Sequence, residues 1–178
     1  MPVIRQLSRR TVYQNRWMKL HEDTIRFPDG TDGIYGVVDK EDFVLILPVH
    51  ADASFQLVRQ YRYPVAGRYW EFPQGSWETR PGTDPARVAA GELEEETGYR
   101  AEQLDKLGFL YPANGTANQG CHIFRATGLT PGRMAREPEE QDLETSRFTR
   151  AEIMAMIAGG DIRDAATVAA LFLLDATA

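Results

Sequence analysis

Apolar and polar positions alternate over short stretches in the first third of the chain. TVYQNRWMKLHEDTIRF mixes β-branched, aromatic and polar residues, PDGTDG is a turn signal, and IYGVV resumes the pattern. Residues 10 to 40 therefore predict short strands in a small antiparallel sheet. DFVLILPVH is a more continuous apolar run, as a strand buried on both faces requires; DAS turns the chain, and FQLVRQYRY pairs back as a hairpin. WEFPQGSW, residues 70 to 77, is a short strand interrupted by Pro73 and Gly75, so the chain leaves its sheet there.

The period then changes. TDPARVAAGELEEETG has Thr83 or Asp84 as N-cap, Pro85 at the first helical position and Gly98 just past the end. Ala86, Ala89, Ala90, Leu93 and Thr97 give this helix a small-residue face for packing on a sheet. LDKLGFLYPA and GCHIFRAT predict two further strands around the loop Asn114 to Gly120, and the acidic stretch REPEEQDLET follows. AEIMAMIAGG and AATVAALFLLDA predict two closing helices. An α+β sandwich, a sheet between helices, accommodates this order.

Composition narrows the function classes. A chain of 178 residues with 43% hydrophobic and 26% charged residues suits one domain, with or without a small appendage. Its net charge of -6 argues against a nucleic-acid partner, which calls for a broad basic footprint. The single cysteine, Cys121, excludes an intramolecular disulfide and points to a reducing compartment. MPVIRQLSRR lacks the apolar stretch of a signal peptide, and no run approaches the roughly 20 apolar residues of a membrane span. A soluble, cytoplasmic protein with no membrane partner is the expectation.

GELEEETGY, Gly91 to Tyr99, puts four glutamates into five positions. At about 100° per residue, Glu92, Glu95 and Glu96 share one helix face and Glu94 points nearly the opposite way. Like charges at these spacings destabilise a helix by a few tenths of a kcal/mol each, and its C-terminal end disfavours negative charge. A solvated acidic face is one account; a site for a hard divalent cation such as Mg²⁺ or Mn²⁺, which takes carboxylate oxygens and substrate phosphates, is the other.

GELEEETGY after WEFPQGSWE resembles the Nudix hydrolase box, G-x5-E-x7-R-E-U-x-E-E-x-G-U with U aliphatic or aromatic, matched at Gly75, Glu92, Leu93, Glu95, Glu96, Gly98 and Tyr99. LVRQYRYPV, WEFPQG, EEQDLET and GGDIRDAATVAALFLL are similar to the ADP-ribose pyrophosphatase branch of that family. The resemblance implies a Nudix-type α/β/α sandwich with a mixed central sheet over residues 41–178, preceded by an N-terminal antiparallel β segment over 1–40 that subunits exchange in a homodimer. It implies hydrolysis of a nucleoside diphosphate derivative, ADP-ribose first, with Mg²⁺ or Mn²⁺. GDP-mannose and other nucleotide sugars, dinucleotides, and a non-catalytic nucleotide-sensing module are the alternatives.

Carried over residue by residue, the implied metal ligands are Glu92 and Glu96, with Glu95 a ligand or water-holding partner and the backbone carbonyl of Gln74 a further ligand. Of the acidic-loop carboxylates, Glu140 is implied as the base that activates water, with Glu139 second. Arg62 and Glu71 match substrate-contacting positions, and Arg59 lies close by; an arginine fork suits diphosphate oxygens and a glutamate accepts from ribose hydroxyls or an adenine amine. Ordinary cross-strand ion pairing also accounts for all three. Trp70 and Tyr61 suit base stacking or core packing. His21, His50 and His122 show no metal-ligand spacing.

The chain departs from the box in three places. Seven residues rather than five follow Gly75, the next box position is Thr83 rather than glutamate, and the arginine before the first ligand is Gly91. The family's glutamate and arginine brace the loop against the helix, and losing both leaves neither charge orphaned. Glu78, Arg80 and Arg87 are candidates for a substitute brace, and Gly91 alternatively admits close approach of another backbone.

Overall fold

The computed structural model describes residues 3–77, 80, 82–134 and 142–177. Two compact units emerge. One takes Met1–Asp42 with Tyr111–Gly120; the other takes Phe43–Leu110 and Cys121–Ala178.

The first unit is built on three antiparallel strands, β1 (Arg5–Gln14), β2 (Lys19–Arg26) and β3 (Asp32–Asp39), in the order β1-β2-β3. The tight PDGTDG turn closes β2 onto β3, where Thr31 N–H and its hydroxyl both donate to Asp29. Alternation is clearest in β2, where His21, Asp23 and Ile25 are buried. Asp23 is held there by a two-bond fork from Arg9 across the sheet, which keeps its carboxyl below the usual range against the cost of burial. The 111–120 loop joins this unit through β3: Val38 N–H donates to Thr116 O and accepts Asn118 N–H at its own carbonyl.

In the second unit the run DFVLILPVH forms β4 (Phe43–Pro48), the centre of a mixed four-stranded sheet ordered β7-β4-β10-β9. Here β7 is Gln74–Gly75, β9 is Gln103–Leu110 and β10 is Cys121–Thr127; β10 runs parallel to β4, and the other pairs are antiparallel. Successive β4 side chains enter two different cores, which is why its sequence is continuously apolar. Val44 and Ile46 pack with Val88, Ala89, Leu93, Phe124 and Ala126 beneath the helix α1 (Pro85–Thr97). Leu45 and Leu47 pack with Phe55, Leu57, Phe72, Ile123, Ile153 and Leu171. That second core is covered by α2 (Arg150–Gly159), by α3 (Ala165–Ala176) and by an antiparallel sheet of β12 (Glu144–Phe148), β5 (Phe55–Arg62) and β6 (Gly67–Glu71). The remaining short pair is β8 (Tyr99–Arg100) with β11 (Thr130–Pro131). Helices on both sides of a mixed sheet give the expected α/β/α sandwich.

Local signals set the helix ends. Asp84, rather than Thr83, caps α1, its carboxylate accepting from Ala86 N–H, and Gly98 closes the helix at φ +73°. α2 begins with a reciprocal capping box between Thr149 and Glu152 and stops at Gly160. The expected small-residue face of α1 is the packed one at Ala86, Ala89, Leu93 and Thr97, and only Ala90 departs from it, being exposed. Val88, Glu92 and Glu96 are buried on that side as well, and the two glutamates meet the strand edge.

The start of α3 is sewn to the strand that leaves the sheet. Asp164 caps α3 through Thr167 N–H at 2.8 Å, and the Thr167 hydroxyl, fully buried, accepts the Phe72 N–H at 3.0 Å. Thr167→Val, nearly isosteric, would leave the buried Phe72 N–H unsatisfied; we expect a loss of about 1–3 kcal/mol of unfolding free energy, read as a lower urea midpoint at unchanged slope.

Candidate active site

Between Phe72 and Trp77 the chain crosses the N-terminal half of the second unit's sheet as a short edge, tied to β4 by the Val44–Gly75 and Leu45–Gln74 pairs and by Ile46 N–H to Pro73 O at 2.9 Å. Helix α1 lies against this edge and meets it at three successive points. Gln74 N–H donates to Glu96 Oε2 at 3.1 Å. A Cβ on Gly75 would fall 2.4 to 2.7 Å from the carboxylate atoms of Glu92. A Cβ on Gly91 would fall 2.3 Å from Trp77 Cζ2. No side chain fits at either glycine without displacing its neighbour, so both positions are fixed by close approach.

The geometry sorts the four glutamates. Glu96 is fully buried and Glu92 nearly so, both directed at the Gln74–Gly75 edge. Glu95 is half-buried on the same helix. Glu94 faces away, where it pairs with Arg100 and accepts Arg133 N–H, which holds its carboxyl below the usual range. The spare glutamate is therefore a surface ion-pair partner.

A buried polar layer adjoins Glu96. Glu71 is 2% exposed, its Oε1 accepting from Gln60 Nε2 at 3.1 Å and from Arg62, and its Oε2 accepting Arg62 Nε at 3.2 Å. Burial pushes the Glu71 carboxyl upward, and the guanidinium opposes that push. Burial acts most strongly and would lower the Arg62 pKa, but the charge and hydrogen bonds of Glu71 together with the charges of Glu96 and Asp164 outweigh it, so Arg62 stays cationic. Asp164 completes the layer: Gln74 Nε2 reaches its Oδ2 at 3.4 Å, the same oxygen that caps α3.

Arg59 stands on the next rung. It pairs with Glu144 at 2.7 Å and lies over the Trp70 ring at 5.1 Å, in the cross-strand register Glu144–Arg59–Trp70. Trp70 packs edge-on against Phe148, 4.8 Å between centroids, while Tyr61 is exposed. Arg68 binds both the side chain and the carbonyl of Asp142. Glu78, Glu139 and Glu140 lie outside the described residues. His21 and His50 hydrogen-bond within their own strands' surroundings, and His122 packs against Phe109.

Sequence reasoning missed Asp164, Gln60 and Trp77. The run DAAT signals a capped helix start, yet nothing in it says that the cap also meets Gln74. Trp77 was visible only as an apolar residue in the loop, and its partner is a glycine with no side chain to advertise the contact. The close approach at Gly91 is made by this ring and not by another backbone.

The donor set fits a hard divalent cation. Two buried carboxylates one helical turn apart face a strand edge whose glycine leaves just enough room for one of them, and the adjacent peptide offers a carbonyl. Among the described residues, no group of three or more His, Cys, Asp or Glu side chains is gathered to hold a metal ion alone. Backbone and substrate oxygens would complete such a site.

A family model for the nucleoside diphosphate sugar hydrolase N-terminal domain matches residues 4–38, and one for the NUDIX domain matches residues 40–171. An ADP-ribose pyrophosphatase of Bacillus subtilis (strain 168) is 27% identical over 166 residues, covering 93% of this chain and 89% of the relative. A methanol dehydrogenase activator of Bacillus methanolicus is 30% identical over 161 residues, covering 90% and 86%. The crystal structure of an ADP compounds hydrolase superposes with a TM-score of 0.85 at 25% identity, over 98% of this chain and 94% of that one. With a sandwich of this kind, glutamates brought onto a glycine edge, and a domain match spanning most of its length, the chain belongs to the Nudix family.

Proposed function

We propose that this protein hydrolyses the diphosphate bond of a nucleoside diphosphate derivative, with ADP-ribose the first candidate and AMP and ribose 5-phosphate the products. The observation that carries the reading is the convergence of Glu92 and Glu96 on the Gln74–Gly75 edge. Nudix hydrolases in general use divalent metal ions. Glu92, Glu96, the Gln74 carbonyl and Glu95 are the groups that would hold Mg²⁺ or Mn²⁺ here. Bound there, the cation neutralises diphosphate charge and lowers the pKa of an attacking water.

The chain's own groups divide the remaining work. Glu140, with Glu139 second, takes the proton of the water that attacks phosphorus, and the phosphorus–oxygen bond to the departing phosphate breaks. Arg62 directs guanidinium N–H groups at a diphosphate oxygen. Glu71, with both oxygens engaged, orients Arg62 and neutralises it in the free protein. Arg59 borders the same strand and offers a second cation. Similarity to an ADP-ribose pyrophosphatase supports ADP-ribose as the first candidate, with nucleotide sugars and dinucleotides as the alternatives.

The reading extends to a cytoplasmic homodimer. Exposure of Ile4, Leu7, Val12 and Tyr13 along β1 supports a covering second copy, and no helix among the described residues is long and apolar enough to cross a membrane.

Purified protein with Mg²⁺ or Mn²⁺ should release AMP from ADP-ribose faster than mononucleotide from GDP-mannose or a dinucleotide, and chelation should stop it. Nucleotide binding without metal and without turnover of any substrate would replace this reading with a sensing module. Glu96→Gln should lower kcat on the order of 100-fold or more with an unchanged circular dichroism spectrum; near-normal turnover would remove the residue from the site. Gly75→Ala, which drives a methyl into the Glu92 carboxylate, should weaken Mn²⁺ binding by about 10–100-fold in a calorimetric titration. For Arg62→Ala we expect KM to rise about tenfold with a smaller change in kcat, as loss of a binding contact would produce.

A further inference from the structure

The two box departures, Thr83 and Gly91, sit in one packed unit. The Trp77 ring occupies the volume that any side chain at position 91 would need, with Cζ2 at 2.3 Å and Cη2 at 3.0 Å from a Cβ built there. It is half-buried and packs on the core of Val44, Ile46, Val88, Ala89 and Leu93 that underlies α1. The Arg80 guanidinium covers the same indole at 5.2 Å. Arg80 N–H donates to Trp77 O at 2.9 Å, and the Thr83 hydroxyl donates to Arg80 O at 2.7 Å. Thr83 thus closes the turn that brings Arg80 over the ring. Arg87, the other cation considered for a brace, is exposed and makes no ion pair among the described residues.

Trp77 lies two residues beyond Gly75, and Gly91 immediately precedes Glu92. We propose that the Trp77 ring seated on Gly91 is a positioning element that holds the loop to the metal-binding helix, replacing the box's glutamate–arginine pair and fixing Glu92 against Gly75. This inference rests on the assignment of Glu92 to the cation site. The interior glycine, a poorer helix former than alanine, is tolerated because it admits the indole. Position 77 and position 91 are then coupled: a side chain at 91 is harmful only while the ring is present.

The test uses the full chain in five forms: wild type, Trp77→Ala, Trp77→Phe, Gly91→Ala and the double variant Trp77→Ala/Gly91→Ala. Mn²⁺ binding is followed by electron paramagnetic resonance, melting temperature by circular dichroism, and kcat and KM with ADP-ribose. Trp77→Ala and Gly91→Ala should each weaken Mn²⁺ binding by about tenfold or more, with Trp77→Phe within about threefold of wild type because a smaller ring still fills part of the seat. The double variant should bind no more weakly than Trp77→Ala and melt above it, since alanine is the better helix former once the ring is gone. Wild-type Mn²⁺ binding and turnover in Trp77→Ala, or strictly additive effects at the two positions, would overturn the inference. If Trp77→Ala fails to fold, Gly91→Ala and Trp77→Phe decide it: unchanged Mn²⁺ binding in Gly91→Ala counts against the brace. A wild type that neither binds Mn²⁺ nor hydrolyses any substrate would instead overturn the functional reading and the positioning role with it, and the melting temperatures would still decide whether the two positions are coupled.

Discussion

The contact between the Glu92 carboxylate and the bare Cα of Gly75 constrains most of what surrounds it. A helix carrying buried carboxylates gains nothing from an apolar sheet, so the strand must offer something polar where those side chains arrive. It does so by leaving its sheet. β7 pairs with β4 for only two residues, which frees the Gln74 N–H for Glu96 and leaves the Gly75 edge open to Glu92. Pro73 enforces the departure, because it lacks the N–H that a longer ladder would use. From this follow the burial of Glu92 and Glu96 beside Ala89, the exposure of Ala90, and the burial of Val88 and Leu93 on the flanks of the same face.

Much of this was legible beforehand because the strong signals are local. The apolar run of β4, the Pro85 and Gly98 boundaries of α1, and the existence of the two closing helices depend on residues adjacent in sequence. The division of the glutamates was also legible, since helical geometry alone sets Glu94 opposite Glu92, Glu95 and Glu96. What escaped depends on contacts across long separations. Asp164 reaches Gln74 across ninety positions as a side-chain hydrogen bond within one fold, with no periodicity to report it. The face of α1 was legible at Ala86, Ala89, Leu93 and Thr97, while Ala90 lies outside it and Glu92 and Glu96 share it because the strand edge receives them.

Gly91 shows how a departure from a family pattern acquires a physical account. Alone, replacing arginine by glycine removes a charge and loosens a helix. Together with Thr83 and Trp77 it exchanges a charged brace for a packed one, in which an indole fills the space, a guanidinium covers it and a hydroxyl closes the turn. An exposed ion pair contributes little and weakens with salt, whereas an aromatic ring against a helix backbone contributes through area and dispersion.

The placement of Arg62 follows from the same electrostatic demand. Glu71 and Glu96 are buried and Asp164 lies partly buried beside them, so like charges gather in one neighbourhood and oppose one another. A single half-exposed guanidinium with its fork on Glu71 relieves that buried carboxylate, and its field extends to Glu96 and Asp164. Breaking that pair would strand a buried carboxylate, so Glu71 and Arg62 act as a unit and not as two independent ligands. The cation end of the unit remains partly open to solvent, which leaves it able to meet an anionic substrate while its carboxylate stays inside. The result is a layered arrangement, with compensated charge beneath the two carboxylates that meet the glycine edge.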